Sequence, residues 1–190
     1  MSKKLFCLFS RLIAILFLNK CGKNFRLGHS SHLKGYKNID VGGNFFSGPY
    51  LYLNTNKISR IVIGDDVMMG PYVKVISGNH IIDYKYGPMN SAPAKQEGHD
   101  KGVTIEDDVW IGVNAIILDG AFISEGVVVG AGSLVNKYIP PYVIAAGNPL
   151  RVIRLRFSLS DLAIVLNEKK SRMSLDDIKN IYADFGLIDV

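Results

Sequence analysis

Residues 105–135 read IEDDVW IGVNAI ILDGAF ISEGVV VGAGSL V, and every sixth position is a branched aliphatic residue: Ile105, Ile111, Ile117, Ile123, Val129 and Val135. An α-helix has no period of six, because 3.6 residues per turn puts successive sixth residues on different faces. A flat strand repeats every two residues and would not single out one position in six. Six residues per side fit a coil of three short strands joined by tight corners. The recurring aliphatic residue then points inward and stacks on its copies at the strand spacing of about 4.8 Å. The same phase occurs earlier at Ile63, Met69 and Val75, and a weaker, offset stretch runs through Val41-Gly42, Ser47-Gly48 and Leu53. Coils are expected from Ile63 to His80, Ile105 to Phe122 and Ile123 to Pro140. Glycine follows several of these stops, at Gly64, Gly70, Gly112 and Gly130, and is expected to make the corners through positive φ. Four places after a stop the residue is small or β-branched, as at Val67, Val73, Val109, Ala115, Ala121, Val127 and Ser133. A β-sandwich with coincidental spacing is the competing reading, and six consecutive matches disfavour it.

Composition sets wider bounds. The chain has 190 residues, 48% hydrophobic and 21% charged, which is enough for one domain with a sizeable core. The net charge of +5 is dispersed rather than blocked, which argues against nucleic acid and suits an anionic small molecule. Cys7 and Cys21 make no disulfide framework, so a reduced, cytoplasmic compartment is expected. Residues 5–18 are mostly apolar, but shorter than the roughly 20 residues that cross a bilayer. No small-residue cleavage pattern follows Leu18. A helix over residues 1–22 is expected, packed on the protein or, as the alternative, lying through residues 1–20 against the inner face of a membrane.

Between the coils, residues 81–102 break the period with Tyr84, Tyr86, Gly87, Pro88 and Pro93, and are expected to fold out as a lid or partner-facing arm. Pro140 and Pro141 are expected to end the regular coil. Ser158 or Ser160 can cap a helix to about Lys170, and Ser174 with Asp177 resembles a capping box for a second helix ending near Gly186. The division is therefore a helix over 1–22, a β-helix domain over 23–157 with the loop 81–102, and a helical cap over 158–190. Residues 1–40 carry no repeat signal comparable to the later one.

Five stretches together resemble the hexapeptide-repeat acetyltransferases, particularly sugar O-acetyltransferases and xenobiotic acetyltransferases. They are Ile63-Gly64-Asp65-Asp66-Val67, Ser77-Gly78-Asn79-His80, Val109-Trp110-Ile111-Gly112, Val129-Gly130-Ala131-Gly132-Ser133, and Ala146-Gly147-Asn148-Pro149 with Arg151. The resemblance implies a mainly β fold, a left-handed parallel β-helix of hexapeptide repeats, assembled as a homotrimer with active sites between subunits. It implies acetyl-CoA as acyl donor, no metal, and His80 as the base that deprotonates an acceptor hydroxyl.

Around His80, the candidates for the acceptor side are Asp83, Asn54, Tyr84 and His99. Each has an ordinary alternative role as a loop or coil residue. For the cofactor, the resemblance points to Trp110, Gly112, Asn114, Ser133 and Ala146 along the pantetheine arm, and to Lys137, Arg151 and Arg154 for the phosphates. Trp110 can equally fill a subunit interface, and the three cations can be a solvated basic edge. A neutral imidazole with a pKa near 6.5 suits proton removal from an alcohol. O-acetylation of a saccharide, as part of a surface polysaccharide or a nucleotide sugar, is the leading expectation. N-acetylation of an amino sugar, a zinc protein resembling γ-class carbonic anhydrases, and a non-catalytic trimeric scaffold are the alternatives. His29, His32 and His99 do not repeat with His80, which weighs against the zinc reading.

Overall fold

The structure is a computed structural model and describes residues 16–188 together with Phe9 and Leu12. Most of the helix expected over residues 1–22 lies outside the described residues. Phe9, Leu12, Leu16 and Phe17 are helical and exposed.

The chain winds into a three-sided prism whose faces are three sheets. Face A stacks β1 (Lys20–Cys21), β3 (Ile39–Val41), β6 (Ile61–Ile63), β9 (Val103–Ile105), β12 (Phe122–Ile123) and β15 (Tyr138–Ile139). Face B stacks β4 (Phe46–Ser47), β7 (Met68–Met69), β10 (Trp110–Ile111), β13 (Val128–Val129), β16 (Val143–Ala146) and β17 (Arg151–Leu155). Face C stacks β2 (His32–Lys34), β5 (Tyr52–Asn54), β8 (Lys74–Ile76), β11 (Ile116–Leu118) and β14 (Leu134–Val135). The chain visits the faces in the order A, B, C, and every pairing is parallel except β16 with β17. This is the three-sided coil that the period of six predicts, and the left-handed parallel β-helix that the resemblance implies.

The register converts that period into interior columns. Val41, Ile63, Ile105, Ile123 and Ile139 align on face A. Ser47, Met69, Ile111, Val129 and Ala145 align on face B. Leu33, Leu53, Val75, Ile117 and Val135 align on face C. Every stop from Ile105 to Val135 is at most 1% exposed, and a fully buried Ile or Val contributes on the order of 2 kcal/mol through apolar area alone.

The corners differ from the sequence expectation. Gly64, Gly70, Gly112 and Gly130 do not take positive φ. They are glycines because the next coil lies too close for a side chain. A Cβ on Gly112 would sit 2.6 Å from the Ala131 nitrogen, and one on Gly70 2.7 Å from the Val113 nitrogen. The left-handed conformation falls two residues later, on Asn44, Asp66 and Asp108 between faces A and B, and on Tyr50, Tyr72 and Asn114 between faces B and C. Asn and Asp tolerate this region better than other side chains do.

Two boundaries also move. The coil begins within the segment that shows no clear repeat: β1 pairs with β3 through Lys20 and Cys21, and β2 pairs with β5. It also continues past Pro140 and Pro141, because β15 and β16 extend faces A and B before β17 turns back antiparallel. The C-terminal helices are α1 (Leu159–Lys169) and α2 (Leu175–Asp184). Ser158 caps the first, and Ser174 with Asp177 forms the capping box of the second. Leu162, Leu166, Ile178 and Tyr182 are buried, and the Tyr182 hydroxyl donates to the Pro141 carbonyl at 2.9 Å. The helices thus cover the last coil, an end that would otherwise expose strand edges. Burial raises the Tyr182 phenol to about 12.

Candidate active site

Insertions into the coil collect on a single edge of the prism. From face C to face A, the chain takes eight residues between Leu33 and Val41, ten between Leu53 and Ile63, thirty between Val75 and Ile105, but six between Ile117 and Ile123. The other two edges keep the spacing of six through the regular coils, because their left-handed residues and close-packed glycines leave no room for extra chain. The C–A edge therefore carries three successive excursions side by side, and His80 stands at the start of the longest.

Two carboxylates fasten the base of that excursion. Asp119 accepts the backbone N–H groups of Gly78 at 3.0 Å, Lys101 at 3.0 Å and Gly102 at 2.9 Å, so it ties the loop's two ends together. Asp100, only 5% exposed, accepts the Asn79 N–H at 3.0 Å and the Asn56 side-chain amide at 2.7 Å, and pairs with Lys95. Lys95 also donates to the Asn79 carbonyl at 2.6 Å. Burial pushes the Asp100 carboxyl up. The hydrogen bonds from Lys95, Asn56 and Asn79, with the Lys95 charge, outweigh burial and hold it below its ordinary value. Gly78 sits in the middle of this clasp with φ +109°, where a Cβ would lie 2.4 Å from the Asn56 amide. Gly78 and Asn79, just before His80, are thus held through their backbone, and the buried Ser77 hydroxyl adds a bond to the Arg60 carbonyl at 3.2 Å.

The three excursions enclose an open cavity of about 810 Å³. His80 and Asn54 both line it, with Tyr36, Asn56, Asn79 and Lys95 among the other walls. The His80 imidazole is exposed, and no hydrogen-bond partner for it lies among the described residues. An unpartnered imidazole in a cavity with room for a substrate is free to take a proton from it.

The remaining candidates separate into groups. Asp83 and His99 are exposed and Tyr84 is half-buried against Tyr86; all three belong to the long loop, and none lines the cavity. Trp110, 51% exposed, projects from face B between Met68 and Val128. Gly112 and Asn114 follow it at the B–C edge, where Lys74 donates to the Asn114 side chain at 3.3 Å. Ser133 is buried on the same edge and its hydroxyl is occupied internally, donating to the Gly130 carbonyl at 2.7 Å and accepting the Gly147 N–H at 3.0 Å. Ala146 ends β16 beside it. Lys137 and Arg151 share a second cavity of about 480 Å³ near Phe185. The Arg154 guanidinium turns to the Leu155 carbonyl at 2.9 Å, away from that cavity. Sequence reasoning missed Asn56, Lys95, Asp100 and Asp119. Their roles depend on bringing residues 44 positions apart to one corner, and spacing alone does not show that.

Among the described residues, no three His, Cys, Asp or Glu side chains gather to hold a metal ion, and no helix is long and apolar enough to cross a membrane.

No family model matches the chain. The galactoside O-acetyltransferase of Escherichia coli is 38% identical over 120 residues, covering 62% of this chain and 54% of that protein. The chain spans about half the length of the first curated relatives it matches, 55% and 54%. A solved hexapeptide-repeat acetyltransferase from Vibrio cholerae, complexed with acetyl coenzyme A, is 27% identical with a TM-score of 0.63, covering 80% of this chain and 78% of that one. A solved maltose O-acetyltransferase from Clostridium difficile is 34% identical with a TM-score of 0.65, covering 82% of this chain and 83% of that one. One-third identity across four-fifths of both chains, on a coil of the same build, means that the chain belongs to the hexapeptide-repeat acetyltransferase family.

Proposed function

We propose that the protein transfers the acetyl group of acetyl-CoA to a hydroxyl of a saccharide, with His80 as general base. The observation that carries this reading is the exposed, unpartnered imidazole in a cavity of about 810 Å³, at the foot of a loop whose ends are fastened together. The relatives that act on galactosides and maltose support the saccharide class.

In the reaction, the His80 imidazole takes the proton of the acceptor hydroxyl as its oxygen bonds to the thioester carbon. The tetrahedral centre collapses with loss of the C–S bond, and the proton passes from the imidazolium to the departing coenzyme A sulfur. Nothing becomes covalently attached to the protein, so alignment of the two substrates supplies much of the acceleration. Acetyl-CoA would extend past Trp110, Gly112 and Asn114, with its phosphates toward Lys137 and Arg151. Asn54 would hold the acceptor.

A homotrimer is part of the same proposal. His80 and Asn54 belong to the C–A edge, whereas Asn114, Ser133 and Ala146 belong to the B–C edge. Two edges of one triangular prism face different directions. They form a common cleft when the C–A edge of one copy meets the B–C edge of the next. The need for acetyl-CoA supports a cytoplasmic location as part of the same reading.

The test is thiol release from acetyl-CoA with a panel of sugars, nucleotide sugars and amino sugars, for the wild type and His80→Ala. A loss of roughly 10²- to 10⁴-fold in kcat with intact acetyl-CoA binding is expected. A fully active His80→Ala variant sinks the assignment.

A further inference from the structure

The prism segregates its charge by edge. At the A–B edge, a cavity of about 630 Å³ gathers Asp65, Asp66, Asp107, Asp108 and Glu125 with Arg26 and Lys169, and Arg156 pairs with Asp108 at 2.7 Å. The cavity at the C–A edge has the opposite composition. Lys34, Lys37, Lys57 and Lys95 line it, and no carboxylate does. These lysines come from all three excursions: Lys34 and Lys37 from the first, Lys57 from the second and Lys95 from the third. Lys95 is committed to Asp100, which is sealed behind the wall. Lys34, Lys37 and Lys57 have no carboxylate partner among the described residues.

We infer that the acceptor is a saccharide carrying a phosphate or diphosphate, held by Lys34, Lys37 and Lys57 while its hydroxyl meets His80. This rests on the acetyltransfer reading above and narrows its acceptor. Three exposed lysines without carboxylate partners on the lining of one cavity attract a multiply charged anion, and lysine is a common phosphate ligand. The cofactor's phosphates do not account for these lysines. With the thioester at His80, the length of the pantetheine arm would carry those phosphates away from this cavity, toward Lys137 and Arg151 at the second one. Phe17 and Tyr36, whose rings lie 6.2 Å apart, add an aromatic wall against which a sugar or base can pack. At about 810 Å³ the cavity has the size that sites for ligands larger than a single sugar ring have.

Equilibrium binding separates this inference from the catalytic one, because it needs no turnover. The probes are N-acetylglucosamine, its 1-phosphate, UDP-N-acetylglucosamine and a polyprenyl diphosphate-linked N-acetylglucosamine in detergent, each titrated into the full-length protein. The phosphorylated forms are expected to bind at least about tenfold more tightly than the free sugar, with affinity falling as salt rises. The third and fourth probes distinguish a soluble nucleotide carrier from a lipid carrier. The triple variant Lys34→Gln, Lys37→Gln, Lys57→Gln is expected to lose that preference while keeping its Kd for acetyl-CoA and its melting temperature. Equal binding of the free and phosphorylated sugars overturns the inference, as does binding of none of them. A triple variant that loses acetyl-CoA instead also overturns it, by assigning the lysines to the cofactor. An active His80→Ala enzyme that still prefers phosphorylated sugars would sink the base assignment alone.

Discussion

Replacing Asp119 with alanine should open the base of the long loop without unfolding the prism. Its carboxylate accepts three backbone N–H groups, from Gly78, Lys101 and Gly102, at 2.9–3.0 Å, and a longer contact at 3.4 Å from the Ser77 hydroxyl. Hydrogen bonds to a charged acceptor contribute about 1.5–3 kcal/mol each. Asp119 is half-buried, so water would reach the freed amides and roughly 1 kcal/mol per bond is the fitting figure. The sum is about 3 kcal/mol, on the order of a hundredfold in the population of the opened loop base. Asp119→Asn should cost less. Its carbonyl can still accept from Gly78 and Gly102, while its NH2 would face the Lys101 N–H, donor against donor. Native-state hydrogen exchange resolves the two variants. Exchange at Gly78, Lys101 and Gly102 should accelerate about a hundredfold in the alanine variant and less in the asparagine variant, with Ile117 and Val129 unchanged. Exchange at the three amides within twofold of wild type, or equal acceleration throughout the coil, would refute the clasp.

Asp100 and the Gly112–Asn114 corner give further outcomes. The Asp100 carboxyl is held below its ordinary value of 3.8, so its stabilising effect is complete above that pH and is lost as pH falls through the lowered value. Protection of the Asn79 amide should accordingly stay constant from pH 7 to about 4 and fade only below; loss already at pH 5–6 would contradict the pairing. Gly112→Ala should destabilise by about 1–3 kcal/mol or more, because its Cβ would meet backbone rather than a flexible side chain. Asn114→Gly, at φ +57°, should shift stability by less than about 1 kcal/mol. Chemical denaturation giving the reverse order would return the corner role to Gly112.

The prism was legible in the sequence because its determinant is one-dimensional. An inward column needs an aliphatic residue every sixth place, and Ile105 to Val135 display that directly. The first coil was not legible because Cys21, Leu27 and Leu33 keep the phase for too few steps, and the next interior residue, Val41, comes eight positions later rather than six. The spacing of the glycines marks tight places but not their cause, which is a neighbouring coil's backbone rather than a positive φ. His80 and Asn54 are singled out by the family resemblance, and the fold brings both to the lining of the C–A cavity. Asp100, Asp119 and the lysines were not legible, because their meaning comes from excursions of different lengths lying side by side. Ser133 shows the converse, since it matched the spacing but its hydroxyl is used to hold Gly130 and Gly147 together.

The confinement of added chain to the C–A edge has an evolutionary consequence. A lineage that lengthens or trades one excursion alters the mouth of the pocket while the stacked interior and the opposite ridge go unchanged. Under the proposed activity, new acceptors can then be explored with little loss of folding free energy, and grafting the segment between Ser77 and Gly102 from a relative is a rational first step toward redirecting it.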